Sequence, residues 1–433
     1  MKHVIIGASA AGISAAETLR QEDPTCEITM ISDEPNPLYS RPLISYLLAG
    51  ELPEERLAYR PSDFFEQNRI EALLGHRAVR VEPEADRVML DTGEKLEYDN
   101  LLIATGASPK LPGIEGGDQP GVLGFRTLED AKTILRALPE LNQALVLGGG
   151  LVGLKVAVGL KARGMDVTVA VGSPHLLSQM VDAGAAAIYR ELLEEHGINV
   201  ATGMRAAVIL GDGWVEGVRM ESGEEFPAQL VVAGKGVYAN MDLVKGTQVR
   251  CDYGILIDEH CRTNVKNIYA AGDVAQSYDL VRDEYWTNQI WPCAVEQGRI
   301  AVLNMAGREA IYQGSMGMNS IQFFDLPVIS AGLAGLREKD FDEELIERPS
   351  PQVYKRFVFR GNRVVGFVLV GDIKSAGIIR SLVANGANVK EVKGQLLKDT
   401  LNFSEIMPLI EDQSERFTEQ EYRELIETMK FVG

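Results

Sequence analysis

Two glycine-rich turns, at residues 7–12 and 148–153, lie about 140 residues apart in this chain. Each turn follows a short apolar run and precedes small and apolar residues with the spacing of a helix. A turn of this kind directs the free amides of the helix start, and the positive end of the helix dipole, toward a diphosphate. The sequence therefore predicts two dinucleotide-binding units in one chain.

The first turn departs from the usual glycine pattern at its middle position, which is Ser9. A strand-to-helix turn without a ligand is therefore an open alternative. A carboxylate follows at the spacing of a ribose contact, because Asp33 lies 21 residues after Gly12. We prefer Asp33 to Glu34, although an exposed acidic turn would show the same pattern. The residues predicted to hold the first nucleotide are Gly7, Ser9, Ala10, Ala11, Gly12 and Asp33.

The charge of the chain argues against two classes of partner. Lys and Arg number 43 and Asp and Glu number 62, which gives a formal net charge of -19. Such a charge repels nucleic acid and anionic membrane surfaces. We find no apolar run near the roughly 20 residues of a membrane helix and no leader before the first strand, so a cytoplasmic protein is expected.

Apolar strand patterns alternate with helical patterns over roughly the first 300 residues. This alternation predicts the α/β class, with two Rossmann-like domains built on parallel sheets. A Gly- and Pro-rich stretch at 106–121 indicates a domain crossing, and strand patterns flank a hairpin signal at Gly361 and Asn362. We predict a first domain at 1–110 and 243–315, a second at 111–242, and a C-terminal α+β domain at 316–433.

The end of the chain has the pattern of a helix. Thr418 and Glu421 have the spacing of a capping box, and four apolar residues behind them share one face. Packing on its own domain and docking on a partner subunit both remain open for this helix. The four apolar residues are Tyr422, Leu425, Ile426 and Met429.

Three motifs in a fixed order connect the chain with a known superfamily. Residues 104–106, the turn at 148–153 and residues 263–273 together resemble the FAD-dependent pyridine nucleotide-disulfide oxidoreductases, whose members contain two dinucleotide-binding folds. Residues 39–45, 125–130 and 366–372 are similar to NADH:rubredoxin reductase, ferredoxin reductases and the flavin part of NADH-dependent nitrite reductase. The resemblance covers nearly the whole chain, and it implies FAD in the first domain and NAD(P)H, with NADH favoured, in the second.

The resemblance also implies roles for individual residues. Asp273 would bond the ribityl chain of FAD, Arg41 and Pro42 would line its ring system, and a helix after Pro292 would direct its start toward the pyrimidine end. Arg126 would lie nearby, although pairing with an adjacent acid is equally compatible. Further implied contacts are Val79, Ala104, Thr105, Gly106, Gly272, Trp291, Glu296 and Gln297 for FAD, and Gly148, Gly150, Leu151, Val152, Gly153, Val171 and Gly234 for NAD(P).

Two positions of the second unit depart from the family pattern. Lys155 stands where the family usually has Glu, and Val171 stands where an acid normally holds the ribose of NADH. The turn after Val171, Gly172 and Ser173, has room for a 2'-phosphate. However, no arginine follows within ten residues to bind one, so the sequence does not favour NADPH either.

Lys155 has three interpretations on sequence alone. It is a solvated lysine on the helix, or it pairs with an acid such as Glu296, or it faces N5 of the flavin. In the third case its charge would stabilise the reduced flavin. Related ferredoxin reductases place a lysine where this chain has Tyr46. We therefore hypothesise that Lys155 supplies the corresponding positive charge from the opposite wall of the flavin site. Lys155 is the one residue for which we predict a catalytic role.

The cysteines predict neither a metal site nor a thiol relay. They are too scattered for a metal cluster, and none except Cys26 lies near the first unit, so buried free thiols are expected. A flavin bound here would therefore exchange electrons with its acceptor directly. The four cysteines are Cys26, Cys251, Cys261 and Cys293.

These observations favour a flavoprotein that passes electrons between NAD(P)H and an iron-sulfur or rubredoxin-like protein. The acceptor is expected near the crevice between the first and C-terminal domains, and the reverse flow is equally compatible. The alternative is an FAD-bearing subunit of a larger oxidoreductase complex with weakened NAD(P)H turnover. A structural subunit and an oxidase that uses oxygen stay open, as does a homo- or hetero-oligomeric state.

Overall fold

The first glycine turn joins a buried strand to a helix, as predicted. Strand β1 (Lys2–Ile6) ends before Gly7, and helix α1 (Ala10–Glu22) begins after Ser9. The computed structural model describes residues 1–335, 341–398, 403–419 and 423. The next elements are β2 (Glu27–Ser32), α2 (Ile44–Ala49), α3 (Phe64–Gln67), β3 (Ile70–Leu74), β4 (Ala78–Glu82), β5 (Arg87–Leu90), β6 (Lys95–Glu97), β7 (Asn100–Ile103) and β8 (Ala107–Pro109).

The second glycine turn repeats this arrangement later in the chain. It connects a strand that ends at Leu147 with a helix that begins at Leu151. The elements of this part are β9 (Val122–Leu123), α4 (Leu128–Ala137), β10 (Gln143–Leu147), α5 (Leu151–Ala162), β11 (Asp166–Val171), α6 (Ala183–Glu195), β12 (Ile198–Thr202), β13 (Ala206–Leu210), β14 (Gly217–Met220), β15 (Glu225–Pro227), β16 (Leu230–Ala233) and β17 (Val237–Ala239).

The rest of the chain first returns to the first unit and then forms a separate sheet. The predicted hairpin at Gly361 is confirmed, and Gly361 has the left-handed φ of +58° that its turn requires. The elements are β18 (Ile255–Leu256), β19 (Ile268–Ala270), β20 (Ala275–Asp279), β21 (Glu284–Trp286), α7 (Trp291–Met305), β22 (Met318–Phe323), β23 (Leu326–Gly332), β24 (Glu343–Ser350), β25 (Val353–Arg360), β26 (Arg363–Val370), α8 (Ala376–Ala384) and α9 (Phe403–Asp412).

Two parallel sheets confirm the predicted α/β class. The first has the strand order β19-β7-β1-β2-β3, and the second has the order β12-β11-β10-β16-β9. The strand before each glycine turn, β1 or β10, is central in its sheet. Ligands bind at the carboxyl ends of such strands, so both turns lie at the edge where a nucleotide is expected.

Close helix packing sets the position of α7 relative to the first glycine turn. A Cβ atom at Gly298 of α7 would lie 2.2 Å from the carbonyl oxygen of Ala11 in α1. The glycine therefore lets the two helices approach at backbone distance. As a result, the start of α7 lies beside the start of α1.

The C-terminal sheet is antiparallel, with the order β22-β23-β26-β25-β24 in the part that the structure describes. Helix α8 packs on it, and Phe357 and Phe367 are fully buried in its core. The Tyr354 hydroxyl donates a hydrogen bond of 2.6 Å to Asp182 at the start of α6, which fixes this sheet against the second unit. The apolar residues of the predicted terminal helix lie outside the described residues.

The connections between the two parallel sheets run side by side, because β8 pairs with β17. The three domain boundaries themselves stay a prediction. Over the described ranges, every helix is too short or too polar to cross a membrane. Over the same ranges, no three His, Cys, Asp or Glu side chains are grouped so that they could hold a metal ion.

Candidate functional site

A cleft of about 1040 Å³ opens at the carboxyl ends of the first parallel sheet. Its volume is at the upper end of the range for small-molecule sites, roughly 300–1,000 Å³. The C-terminal sheet completes its wall with Ser320 and Ile321, which the sequence did not predict. The predicted residues that line it are Gly7, Ser9, Ala10, Ala11, Asp33, Arg41, Pro42, Val79, Ala104, Thr105, Gly106, Arg126, Leu151, Val152, Lys155, Gly272, Asp273 and Trp291.

Unpaired backbone donors lie at the start of α1. The amides of Ala10, Ala11 and Gly12 have no backbone acceptor among the described residues, and Ser9 forms no side-chain cap. The first turn of the helix also contains no acid. Free amides at the positive end of a helix fit a diphosphate, which is the central part of FAD. The residues present therefore fit this cofactor.

Two glycines of the first turn are required by the backbone rather than by the ligand. Gly7 has a φ of +114°, and a Cβ atom there would lie 2.1 Å from the carbonyl oxygen of Ala104. A Cβ atom at Gly12 would lie 1.8 Å from the carbonyl oxygen of Gly7. Gly12 therefore does not line the cleft, but it allows the helix to start close to the turn.

The two acids after β2 have different environments. Glu34 accepts a hydrogen bond of 2.7 Å from the Tyr39 hydroxyl and forms an ion pair with Arg41. Asp33 is exposed, lines the cleft and has no hydrogen-bond partner among the described residues. A free carboxylate at the end of the second strand is suited to accept bonds from a ribose diol. These contacts support the choice of Asp33.

Arg126 and Asp273, both predicted FAD contacts, lie together in the cleft. The Arg126 guanidinium is 2.5 Å from the Asp273 carboxylate, whose side chain is only 14% exposed. The backbone N–H of Arg126 donates to Asp130, which also forms the capping box of α4 with Thr127. The alternative of a surface ion pair between Arg126 and a neighbouring acid is thus not the arrangement found.

Two other expected FAD contacts, Glu296 and Gln297, do not line the cleft. Gln297 is buried, accepts a hydrogen bond of 2.8 Å from the Gly272 amide and donates one of 3.2 Å to Ser277. Glu296 is exposed on the other side of α7. Gln297 therefore holds the turn that carries Asp273, and its position on the apolar face of a helix is the signal that indicates such a role.

The second glycine turn has the same backbone design. A Cβ atom at Gly148 would lie 2.3 Å from the carbonyl oxygen of Gly234, and one at Gly153 would lie 2.3 Å from that of Gly148. Gly150 caps α5 without a side chain, and the next three amides have no backbone acceptor among the described residues. Gly148, Gly150, Gly153 and Gly234 lie outside the wall of the cleft, whereas Leu151 of α5 lines it.

Val171 ends β11 where a ribose-binding acid is usual in the family. Its side chain is 2% exposed and packs over Gly149, where a Cβ atom would lie 2.8 Å from it. A hydrocarbon side chain offers no hydrogen bond to a ribose hydroxyl. Val171 therefore cannot supply the carboxylate that is usual at this strand end.

Lys155, in α5 of the second unit, contacts both α2 of the first unit and the C-terminal sheet. Its ammonium donates to the Tyr46 hydroxyl at 3.2 Å and to the carbonyl oxygen of Gln322 at 3.0 Å. It also lies 4.4 Å from the centre of the Tyr46 ring, a cation–π distance. No ion pair joins it to Glu296 among the described residues. Lys155 is therefore a cation in the cleft wall, opposite the first unit.

The positions and pKa values of the four cysteines bear on whether a thiol could carry electrons. None of the four is in the cleft wall as the structure describes it. Burial raises the pKa of the Cys293 thiol to about 11, and it also raises the pKa of Cys26, Cys251 and Cys261. Each thiol therefore stays protonated near pH 7, whereas the thiolate is the reactive form.

Two parallel sheets, each with a glycine turn at an open helix start, define a class of protein with two dinucleotide-binding domains. Residues 1–298 match the family described as "Pyridine nucleotide-disulphide oxidoreductase". The chain belongs to this family, whose cofactors are FAD and NAD(P)H. Residues 318–387 match the "Rubredoxin NAD+ reductase C-terminal domain".

Similar proteins and a solved structure support this family membership. The chain is 32% identical over 399 residues to nitrite reductase [NAD(P)H] of Bacillus subtilis (strain 168), with 90% of this chain and 48% of that protein covered. It is 31% identical to rhodocoxin reductase of Rhodococcus erythropolis, with 89% and 90% covered. The solved covalent putidaredoxin reductase-putidaredoxin complex matches with a TM-score of 0.85 and 26% identity, over 94% of this chain and 98% of that chain. The chain spans about half the length of the first curated relatives.

Proposed function

We propose that the chain is an FAD-dependent NAD(P)H oxidoreductase that passes electrons between NAD(P)H and an iron-sulfur or rubredoxin-like protein or subunit. One observation carries this proposal: the cleft at the start of α1 is also lined by Leu151, Val152 and Lys155 from the start of α5. Two nucleotides bound at these helix starts would meet in one cleft. That is the arrangement that electron transfer from one nucleotide to the other requires.

Different residues of the first unit would bind different parts of FAD. The free amides at Ala10 and Ala11 would bind the diphosphate, Asp33 would accept bonds from the adenosine ribose, and Asp273 would accept bonds from the ribityl chain. The start of α7 at Trp291 directs a positive helix end into the same cleft. The chemistry that FAD supplies when bound is the conversion between two-electron exchange with NAD(P)H and one-electron exchange with an iron centre.

The residues of the second unit present NAD(P)H to this site. The amides after Gly150 would bind its diphosphate, and Lys155 would hold a positive charge at the wall that separates the two nucleotides. Because the four thiols lie elsewhere and stay protonated, the acceptor protein would approach the open edge of the cleft, beside the C-terminal sheet. Ser320 and Ile321 belong to this edge.

We also propose a cytoplasmic location. All four cysteines are free thiols, as is usual in reducing compartments. The net charge of -19 supports protein and small-molecule partners rather than nucleic acid or an anionic membrane.

An anaerobic stopped-flow experiment tests the proposal. Protein loaded with FAD is mixed with NADH or NADPH, and flavin bleaching is followed; oxidised rubredoxin or a [2Fe–2S] ferredoxin is then added. We expect rapid bleaching by at least one nucleotide and reoxidation by an iron protein. No bleaching at millimolar concentrations would favour the flavin-bearing subunit instead, an outcome that Val171 in place of the acid would explain. If oxygen is then admitted, reoxidation by oxygen but by neither iron protein would favour an oxidase.

A further inference from the structure

This inference concerns the end of β11 and rests on the proposed binding of NAD(P)H by the second unit. In a dinucleotide-binding unit, the end of the second strand meets the ribose of the adenosine. An acid there binds the ribose diol and repels a 2'-phosphate. Val171 does neither, so the selectivity of this unit depends on what lies around Gly172 and Ser173.

The fold brings Arg205 to this position from a distant part of the sequence. Strand β12 pairs with β11, so the loop after β12 returns beside the end of β11. Two backbone hydrogen bonds hold the loop there: Met204 N–H donates to Val171 O at 2.9 Å, and Gly203 N–H donates to Ser173 O at 3.2 Å. The backbone hydrogen bonds between this loop and the end of β11 therefore set the position of Arg205, independently of contacts made by its side chain.

Gly172 leaves the space that the Arg205 side chain occupies. A Cβ atom at Gly172 would lie 3.3 Å from Cγ and 3.8 Å from Nε of Arg205. Gly172 is not among the glycines with a positive φ, so its backbone conformation does not require a glycine. A side chain at this position would instead crowd Cγ of Arg205.

No acidic side chain of the described residues forms an ion pair with the Arg205 guanidinium. The residue is exposed, and no hydrogen bond or ion pair involves its side chain among the described residues. Glu221, in the turn after β14, contacts Arg205 through the backbone, with its N–H donating to Arg205 O at 2.8 Å. Burial lowers the pKa of Lys235, and the nearby carboxylate of Glu221 partly opposes this lowering.

We infer that Arg205 is the specificity-determining residue of the second unit and binds the 2'-phosphate of NADPH. A guanidinium offers two parallel donors to a phosphate, and here it lies at the strand end where the ribose is expected. The unit therefore takes the 2'-phosphorylated nicotinamide nucleotide in preference to NADH. The sequence did not suggest this, because the arginine lies 33 residues after Gly172.

The test uses two probes that differ only at the 2' position, adenosine 2',5'-bisphosphate and adenosine 5'-monophosphate. Their binding to the FAD-loaded chain is measured by calorimetry for the unmodified protein, Arg205→Ala and Arg219→Ala. Arg219 is a matched control, because it is exposed in β14 of the neighbouring small sheet and pairs with Glu225 at 2.8 Å. Circular dichroism checks that both variants are folded.

We expect the unmodified protein to bind the bisphosphate at least about tenfold more tightly than the monophosphate. Arg205→Ala should bring this ratio close to one, and Arg219→Ala should retain it. Equal binding of the two probes by the unmodified protein, no binding of either probe, or an unchanged ratio in Arg205→Ala would overturn the inference.

Flavin bleaching separates this inference from the proposed function. A chain bleached equally fast by low concentrations of NADH and NADPH would keep the proposed function and lose the inference. A chain that selects the bisphosphate through Arg205 but is bleached by neither nucleotide would keep the phosphate subsite and lose the reductase activity.

Discussion

The two dinucleotide-binding units have the same backbone and different charges. In each, a glycine turn leads to a helix start with unpaired amides among the described residues. At the end of the neighbouring strand, however, the first unit has the free carboxylate of Asp33, and the second has Val171 beside Arg205. In our proposal, the helix start after each glycine turn binds the diphosphate that both nucleotides share, and the side chains at the strand ends decide which nucleotide each site takes.

The units also differ in the ion pairs that their site residues form. In the first, ion pairs between Arg41 and Glu34 and between Arg126 and Asp273 line the cleft. In the second, Arg205 is exposed and unpaired among the described residues. The first site therefore suits a cofactor that stays bound, and the second suits a nucleotide that exchanges with solvent.

The largest expected effect comes from placing a carboxylate at each helix start. Ser9→Asp keeps a favoured N-cap residue but repels the diphosphate, so bound FAD should fall at least about tenfold without a lower melting temperature of the apoprotein. Gly150→Asp has room, since the nearest atom lies 3.9 Å from its Cβ position, and it should keep FAD but abolish bleaching by NAD(P)H. Flavin content, circular dichroism and stopped-flow absorbance measure these effects. Retention of FAD by Ser9→Asp would place the diphosphate elsewhere.

The next effect concerns the two neighbouring acids of the first unit. Asp33→Asn should weaken FAD binding about tenfold, because a hydrogen bond to a charged group contributes roughly 1.5–3 kcal/mol. Glu34→Gln is the matched control; it loosens contacts with Tyr39 and Arg41 and should lower the melting temperature more than the affinity. Titration of the apoprotein by flavin fluorescence gives both affinities. A larger loss in Glu34→Gln would transfer the ribose role to Glu34.

A smaller effect tests the charge at the wall between the units. Lys155→Met removes a cation that would favour the reduced, anionic flavin, so the two-electron midpoint potential should fall. Charge pairs at partly exposed sites contribute about 1 kcal/mol, which corresponds to roughly 20 mV for two electrons. Lys161→Met, on the same helix but outside the cleft wall, should leave the potential unchanged. An unchanged potential in Lys155→Met would show that the lysine only supports Tyr46 and Gln322.

The smallest effect is expected at the thiols. The pKa of Cys293 is raised to about 11 by burial, so this group stays protonated and does not titrate between pH 6 and 8. Cys293→Ser should therefore leave the rate of flavin bleaching within about twofold across this range. A large loss of rate, above all one with a new pH dependence, would indicate that a thiol carries electrons after all.

Local patterns in the sequence predicted most of the two parallel-sheet units and one hairpin of the C-terminal sheet. The glycine turns, the central strands and the hairpin at Gly361 all depend on short spacings and residue types. The choice of Asp33 has the same basis and stays a prediction. Contacts between distant segments were not predictable in this way. Arg205 reaches the end of β11 only because β12 pairs there, and Lys155 meets Gln322 only because the C-terminal sheet docks on the cleft. Gln297 was expected at the flavin, but it faces the buried side of α7.

The central claim is that the cleft at the start of α1 holds a dinucleotide flavin, with Asp33 on its adenosine half. It is tested most directly by purifying the chain in the presence of equal concentrations of FAD and FMN and then identifying and quantifying the bound flavin by chromatography. The account predicts close to one FAD per chain and almost no FMN, because FMN lacks the adenosine that Asp33 binds. A colourless protein, or one that takes FMN as readily as FAD, would contradict it.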